Sequence, residues 1–174
     1  MTYPSLTFTI LGQPVAKGRP RGAQQGRGVR MYTPKRTRQY EARVAAAARE
    51  AAAEAGGWTV GARVPVRVEV HAIFDRPQRL YRVKDGHARR PHTRRPDLDN
   101  VVKAVLDGID QTDIWTDDAQ VVEIAAVKEY AAILDRAARI CELPRVEVTI
   151  RVLPLLPDPN PPTAQPDAAE CSAD

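Results

Sequence analysis

At 174 residues the chain has room for one domain with a proper core, since most domains run to roughly 100–200 residues. No apolar run approaches the ~18 residues of a spanning helix, and the opening MTYPSLTFTILGQP lacks the basic and long apolar regions of a secretion signal; a membrane partner is not expected. The net charge of +4 understates the body of the chain, because Pro154–Asp174 carries four acids and no Lys or Arg, leaving +8 on residues 1–153.

In chain order, Leu6–Leu11 is a β-branched, alternating run that predicts an opening strand. The following AKGRPRGAQQGRGV reads as a loop rich in Gly, Arg and Gln, with a short strand leaving it at Val29–Tyr32. Residues 1–40 hold eight basic side chains (Lys17, Arg19, Arg21, Arg27, Arg30, Lys35, Arg36, Arg38) and no acid. Thr33-Pro34 predicts a helix start, with Thr as N-cap and Pro at the first helical position. That helix should stop at Gly56–Gly57 after about 22 residues, or roughly 33 Å. Its Ala-rich composition gives high propensity and little bulk, so close packing against a sheet or a twin helix is expected.

Val64–Phe74 alternates, with Val64, Val66, Val68, Val70 and Ala72 on one face and Arg67, Glu69 and His71 on the other. Asp75–Arg95 reads as a long polar loop and contains a second basic cluster: Arg82, Lys84, Arg89, Arg90, Arg94 and Arg95. Loops of that length in a compact domain are usually functional or disordered. Asp99–Asp110 is a second helix with an apolar stripe of Leu98, Val101, Val102, Val105 and Ile109. Gln120–Tyr130 and Arg145–Leu153 are closing strands, separated by Ala131–Glu142, read as a short helical insertion. From Pro154 onward, six prolines and no basic residue predict a disordered, acidic tail beyond a single domain of residues 1–153. Cys141 and Cys171 lie in unlike contexts, so neither a disulfide nor a metal site is expected from them, which suits a reducing cytoplasm.

The chemistry concentrates in RPDLDNVVKAVLDGIDQTDIWTDDAQVV, residues 95–122. Asp97 is expected to be extended and Asp99 near the N-cap; residues two apart in an extended stretch point the same way, so both could address one ion. Lys103 follows on the same helical face as Asp99, and Asp107, a turn later, is a partner for Lys103. One of Asp117 and Asp118 could complete a site while the other supports it, and spacing alone does not choose. Convergent carboxylates raise each other's pKa unless a cation lies between them, and a hard ion such as Mg²⁺ is held by carboxylates and substrate phosphates. With basic clusters that favour a polyanion, the pattern points to a metal-dependent nuclease.

Each part also has a plainer explanation. A DxD at a helix start is commonly capping, Asp117–Asp118 is commonly a turn, and either basic cluster is commonly a solvated surface. His71, His87 and His92 read as surface or strand-face residues, and Trp58 and Trp115 as packing rather than base-stacking groups. Three other functions fit parts of the pattern: an inactive DNA-binding module, a nucleotide-sugar transferase using DxD, and a nuclease of flaps or single strands. The transferase is disfavoured by the short chain and by the lack of a Gly-rich phosphate loop after the first strand.

The same stretch resembles RusA-type Holliday junction resolvases, whose pattern is a DxDN–x–x–K–x–x–x–D helix followed by a Trp and a DD-x-Q-V strand. Asp97, Asp99, Asn100, Lys103, Asp107, Trp115, Asp117, Asp118, Gln120 and Val121 match it in order, and GQPVAKGRPR and MYTPKRTRQYE resemble the phage-type branch. The resemblance covers about residues 6–153. It implies a small α/β (α+β-like) fold, a mixed sheet packed by two main helices, working as a homodimer that cuts opposed strands of a four-way DNA junction. It further implies catalytic and metal-binding carboxylates at Asp97, Asp99 and Asp118, a functional lysine at Lys103, and support from Asp117 and Asn100. Mg²⁺ is the expected ion, with Mn²⁺ as an alternative, and no small organic cofactor is expected. Lys17, Arg19, Arg21, Lys35, Arg36, Arg94, Arg95 and Lys128 are the candidate DNA contacts. The acidic tail has no counterpart in the family pattern and is either inert or a weak mimic of DNA. Deleting Pro157–Asp174 is expected to leave junction cleavage intact; a fall of tenfold or more in a cleavage assay would refute inertness.

Overall fold

The computed structural model describes residues 3–25 and 28–154, without the side chains of Arg21, Ala23, Gln25 and Val29. The expected disordered tail therefore lies outside the described residues from Leu155 onward. The main sheet has five strands in the order β1-β9-β4-β6-β5. These are β1 (Ser5–Leu11), β4 (Val66–Phe74), β5 (Arg90–Pro91), β6 (Val121–Tyr130) and β9 (Arg145–Val152). β9 lies antiparallel to both β1 and β4, whereas β4 and β6 run parallel, with Val68 opposite Ile124 and Phe74 opposite Tyr130. A parallel pair needs a long crossover, and that crossover carries α2 (Leu98–Ile109).

The alternating runs bury the faces the sequence predicts: Leu6, Phe8 and Ile10 of β1, Val66, Val68, Val70 and Ala72 of β4, and Val146, Val148 and Ile150 of β9 form the core. Against it lie α1 (Lys35–Glu54) and α2, with α1 packed on both α2 and β1. The fold is a mixed α/β sheet with two helices, as expected. The Ala-rich helix does meet a twin. Ala45 and Ala48 are buried, and Gly108 of α2 comes so near α1 that a β-carbon there would stand 2.6 Å from Val44 Cβ.

Several segments differ from expectation. Pro34, not Thr33, occupies the N-cap of α1, without a side-chain cap bond. The Gly-rich segment read as a loop pairs into a two-stranded ribbon, β2 (Arg21–Gln25) with β3 (Gly28–Tyr32). The polar stretch 75–95 is organised by one side chain. Arg76 is only 5% exposed, and its guanidinium donates to the carbonyls of Leu80, Asp85, Gly86, Ala88 and Ala131 at 2.8–3.4 Å. Two short 3-10 helices and β5 result. Residues 131–142 form a hairpin, β7 (Ile133–Asp135) and β8 (Ile140–Cys141), rather than a helix. Asp135 Oδ1 accepts the Ala138 N–H at 2.9 Å and starts the turn, and burial of Ile133 outweighs the helical propensity of the Ala/Arg composition. Glu142 then fixes the hairpin, taking Arg89 at 2.7 and 2.8 Å and the Ala132 N–H at 3.0 Å. The Arg89 guanidinium holds the Glu142 carboxyl down at about 2.

The helix crossing generates a test. Gly108→Ala must push α1 from α2 and should lower stability by about 1–3 kcal/mol, the usual cost of overpacking a tight core. Chemical denaturation of both proteins measures it, and an unchanged midpoint would contradict the close approach.

Candidate active site

α2 begins one residue earlier than the motif suggests. Asp97 is the N-cap, extended at φ −71° and ψ 144°, and Leu98 is already helical. The rule that residues two apart share a direction applies to strands, so it does not carry from Asp97 to Asp99. The two carboxylates border neighbouring cavities. Asp97 lines one of about 420 Å³ with Lys17, Arg19, Arg95 and Asn100. Asp99 lines another of about 560 Å³ with Lys103, Asp107 and Asp118, floored by Val102, Ile124 and Ala126. Asp97 makes no side-chain cap bond, so capping does not account for it. Asn100 Nδ2 lies 3.3 Å from Asp99 Oδ1 and donates to it.

The pair Asp117–Asp118 separates into two tasks. Asp117 caps the short 3-10 helix Asp118–Gln120: its Oδ1 accepts the Ala119 N–H at 2.7 Å, and Gln120 Oε1 accepts the Asp117 N–H in return. Gln120 is anchored by donating to the carbonyls of Gly61 and Val64 at 2.8 and 3.0 Å. This turn leaves Asp118 on the cavity shared with Asp99 and Lys103. Trp115 is a packing residue, as expected, with its Nε1–H donated to Asp110 Oδ1 at 2.6 Å.

Asp110, which the motif did not single out, belongs to the same acidic surroundings. Burial raises its carboxyl above the ordinary range, the Trp115 N–H partly offsets this, and the charges of Asp118, Asp107 and Asp117 raise it further. Asp107 does not pair with Lys103. It takes Lys17, whose ammonium also lies 2.6 Å from Glu41 Oε1 on α1. Burial works against the charge on Lys17, but the two carboxylates prevail and hold its pKa above the ordinary lysine value. Lys103 is exposed and forms no ion pair among the described residues.

The other candidate contacts divide similarly. Lys128 Nζ donates to the carbonyls of Arg94 and Pro96 at 2.8 and 2.6 Å, tying β6 to the segment that delivers Asp97. Arg19, Lys35, Arg94 and Arg95 are exposed or edge the cavity of Asp97, and Arg36 borders an adjoining hollow with Pro96. The side chain of Arg21 lies outside the described residues. His92 is buried between the rings of Phe74 and Tyr130, with centroids 4.3 and 4.4 Å away, and burial lowers its pKa. It is a core residue rather than the surface or strand-face residue expected. Trp58 packs on the core edge.

Oxygen donors suit a hard divalent ion, and Asp99, Asp107 and Asp118 supply them around one cavity beside a lysine. Among the described residues no three His, Cys, Asp or Glu side chains are already gathered into a metal cluster. The donor types alone suit such an ion, and Asp99 and Asp118 are the carboxylates of this cavity that form no ion pair among the described residues.

A mixed sheet whose parallel crossover sets carboxylates beside a basic arm is an arrangement compatible with hydrolysis of a phosphodiester backbone. The family model for endodeoxyribonuclease RusA matches residues 12–151. An uncharacterized Bacillus subtilis (strain 168) protein, YqaN, is 34% identical over 155 residues, covering 84% of this chain and 95% of its own. The chain belongs to the RusA endodeoxyribonuclease family, enzymes that hydrolyse phosphodiesters in branched DNA.

The position of Lys17 predicts a structural loss rather than a simple loss of DNA contact. Lys17→Met leaves the buried Glu41 without its cation and should cost about 3 kcal/mol, the low end for breaking a buried pair because Lys17 is partly exposed. Thermal melting beside DNA affinity checks this, and weaker binding at unchanged melting temperature would return Lys17 to the DNA contacts.

Proposed function

We propose that this protein resolves four-way DNA junctions as a homodimer, hydrolysing one phosphodiester in each of two opposed strands with Mg²⁺ or Mn²⁺. Residues 1–153 would form the catalytic unit, working in the cytoplasm. What supports the reading is that Asp99, at the start of α2, and Asp118, just before β6, line one cavity with Lys103.

Asp99 and Asp118 would hold the ion, with Asp97 approaching from the adjoining cavity. The ion supplies positive charge that polarises the scissile phosphate. Lys103 adds a second cation where charge builds on the phosphate oxygens. Asn100 orients Asp99, and the Asp117 cap presents Asp118. Arg19 and Arg95, bordering the cavity of Asp97, would hold flanking phosphates and fix the register of the strand. A two-fold junction needs two symmetric cuts, which a C₂ dimer supplies. An open edge of β6 offers one place to build it: Val122 is exposed, and β5 covers only the end at Glu129–Tyr130.

Cleavage of a labelled four-way junction with Mg²⁺ or EDTA, for wild type and Asp118→Asn, tests the reading. Paired symmetric nicks should require Mg²⁺, and Asp118→Asn should lower the rate at least 100-fold while retaining junction binding. Cutting in EDTA, or by the variant at full rate, would sink the metal site. Cutting of flaps or single strands alone would keep the chemistry and replace the substrate, and binding without cleavage under any divalent ion would favour a binding module.

A further inference from the structure

The β2–β3 ribbon has no role in the core. It forms its own two-stranded sheet, apart from the five-stranded one, and a lone pair of strands is marginally stable in water. Yet it displays large apolar side chains: Met31 is 60% exposed and Tyr32 43%. Met31 stands opposite Gly22 in the register, so no cross-strand side chain covers it. Exposed apolar bulk on a weakly supported ribbon is an aggregation liability unless a partner takes it up.

Charge and position specify that partner. The ribbon lies within the acid-free first forty residues, with Arg30 exposed between the two strand ends and Lys35 and Arg36 following directly. Its base is closed by the Gly18 N–H donated to Thr37 Oγ1 at 3.2 Å. Arg19, one residue before Pro20 and the ribbon, lines the cavity of Asp97. On the returning side Pro34 and Arg36 border Pro96. The ribbon thus grows from the rim of the acidic site, and a strand held there would run onto it.

We propose that this ribbon is the element that opens the branch point, its base seated at the crossover with Met31 on one face as an apolar wedge and Tyr32 on the other as a stacking surface. It rests on the junction-resolving reading above. Apolar side chains such as Met unstack base steps when inserted, which is least costly at an already open branch, and aromatic rings stack on the freed bases. Arg30 and the flanking cations neutralise the phosphates beside the insertion.

The experiment uses the full chain on a four-way junction carrying 2-aminopurine at the crossover, in Ca²⁺ for binding and Mg²⁺ for cleavage. Wild type should raise the fluorescence as bases unstack. Met31→Ala/Tyr32→Ala should cut that rise at least threefold and slow saturated cleavage tenfold or more, while affinity changes less than threefold and melting is unchanged. Arg30→Ala should instead weaken binding. A double variant that opens and cuts like wild type overturns the ribbon's role alone. A wild type that neither binds nor cuts junctions overturns the junction reading and the ribbon's role with it. Conversion from dimer to monomer in light scattering would assign the patch to a second copy and overturn the proposal.

Discussion

The close crossing of α1 and α2 at Gly108 is the constraint on which the rest depends. Because nothing larger than hydrogen fits there, Glu41 of α1 and Asp107 of α2 come near enough for one ammonium to serve both. Lys17 supplies it, and its own backbone N–H is donated to the Asn100 carbonyl at 2.7 Å. The basic arm is thereby pinned along the acidic helix, and Arg19 reaches the edge of the site through that attachment. Packing geometry, an ion triad and substrate approach are three aspects of one contact.

The carboxylates around α2 then differ by what already holds them. Asp107 answers Lys17, Asp110 accepts from Trp115, and Asp117 caps the turn before β6. Among the described residues, Asp97, Asp99 and Asp118 have no such duty, beyond the amide that steadies Asp99. Burial is the main reason the Asp110 carboxyl lies above its ordinary range, and the charges of Asp118, Asp107 and Asp117 add to it. Acids with structural partners and acids without them are interleaved at adjacent positions, which is why a motif alone blurs them.

Much of the fold was legible from period and composition. The alternation in β1, β4 and β9 announced which faces are buried, and the Ala-rich run announced a close helical neighbour. The misses have a common origin in long-range contacts. Arg76 orders a stretch that looks like free loop because its five acceptors come from residues 80 to 131. The 131–142 hairpin defeats its own helical composition because Ile133 is buried and Glu142 is tied to Arg89. At the site, the residue types were readable, but not their allocation: the strand rule misplaced Asp99 relative to Asp97, and neither the choice of Asp118 over Asp117 nor the Lys17–Asp107 pairing could be read from spacing.

With Asp99 and Asp118 as the proposed site, the parallel pairing of β4 with β6 also sets when the chain becomes dangerous to DNA. Asp99 lies midway along the crossover and Asp118 at its end, so in an open chain nothing holds them together. They share a cavity only once residues 121–130 have zipped beside 66–74, a non-local step and among the last that such topologies take. A nascent or partly opened copy therefore carries every acid of the motif but no assembled site, and the integrity of one strand pair acts as the safety catch on the whole molecule.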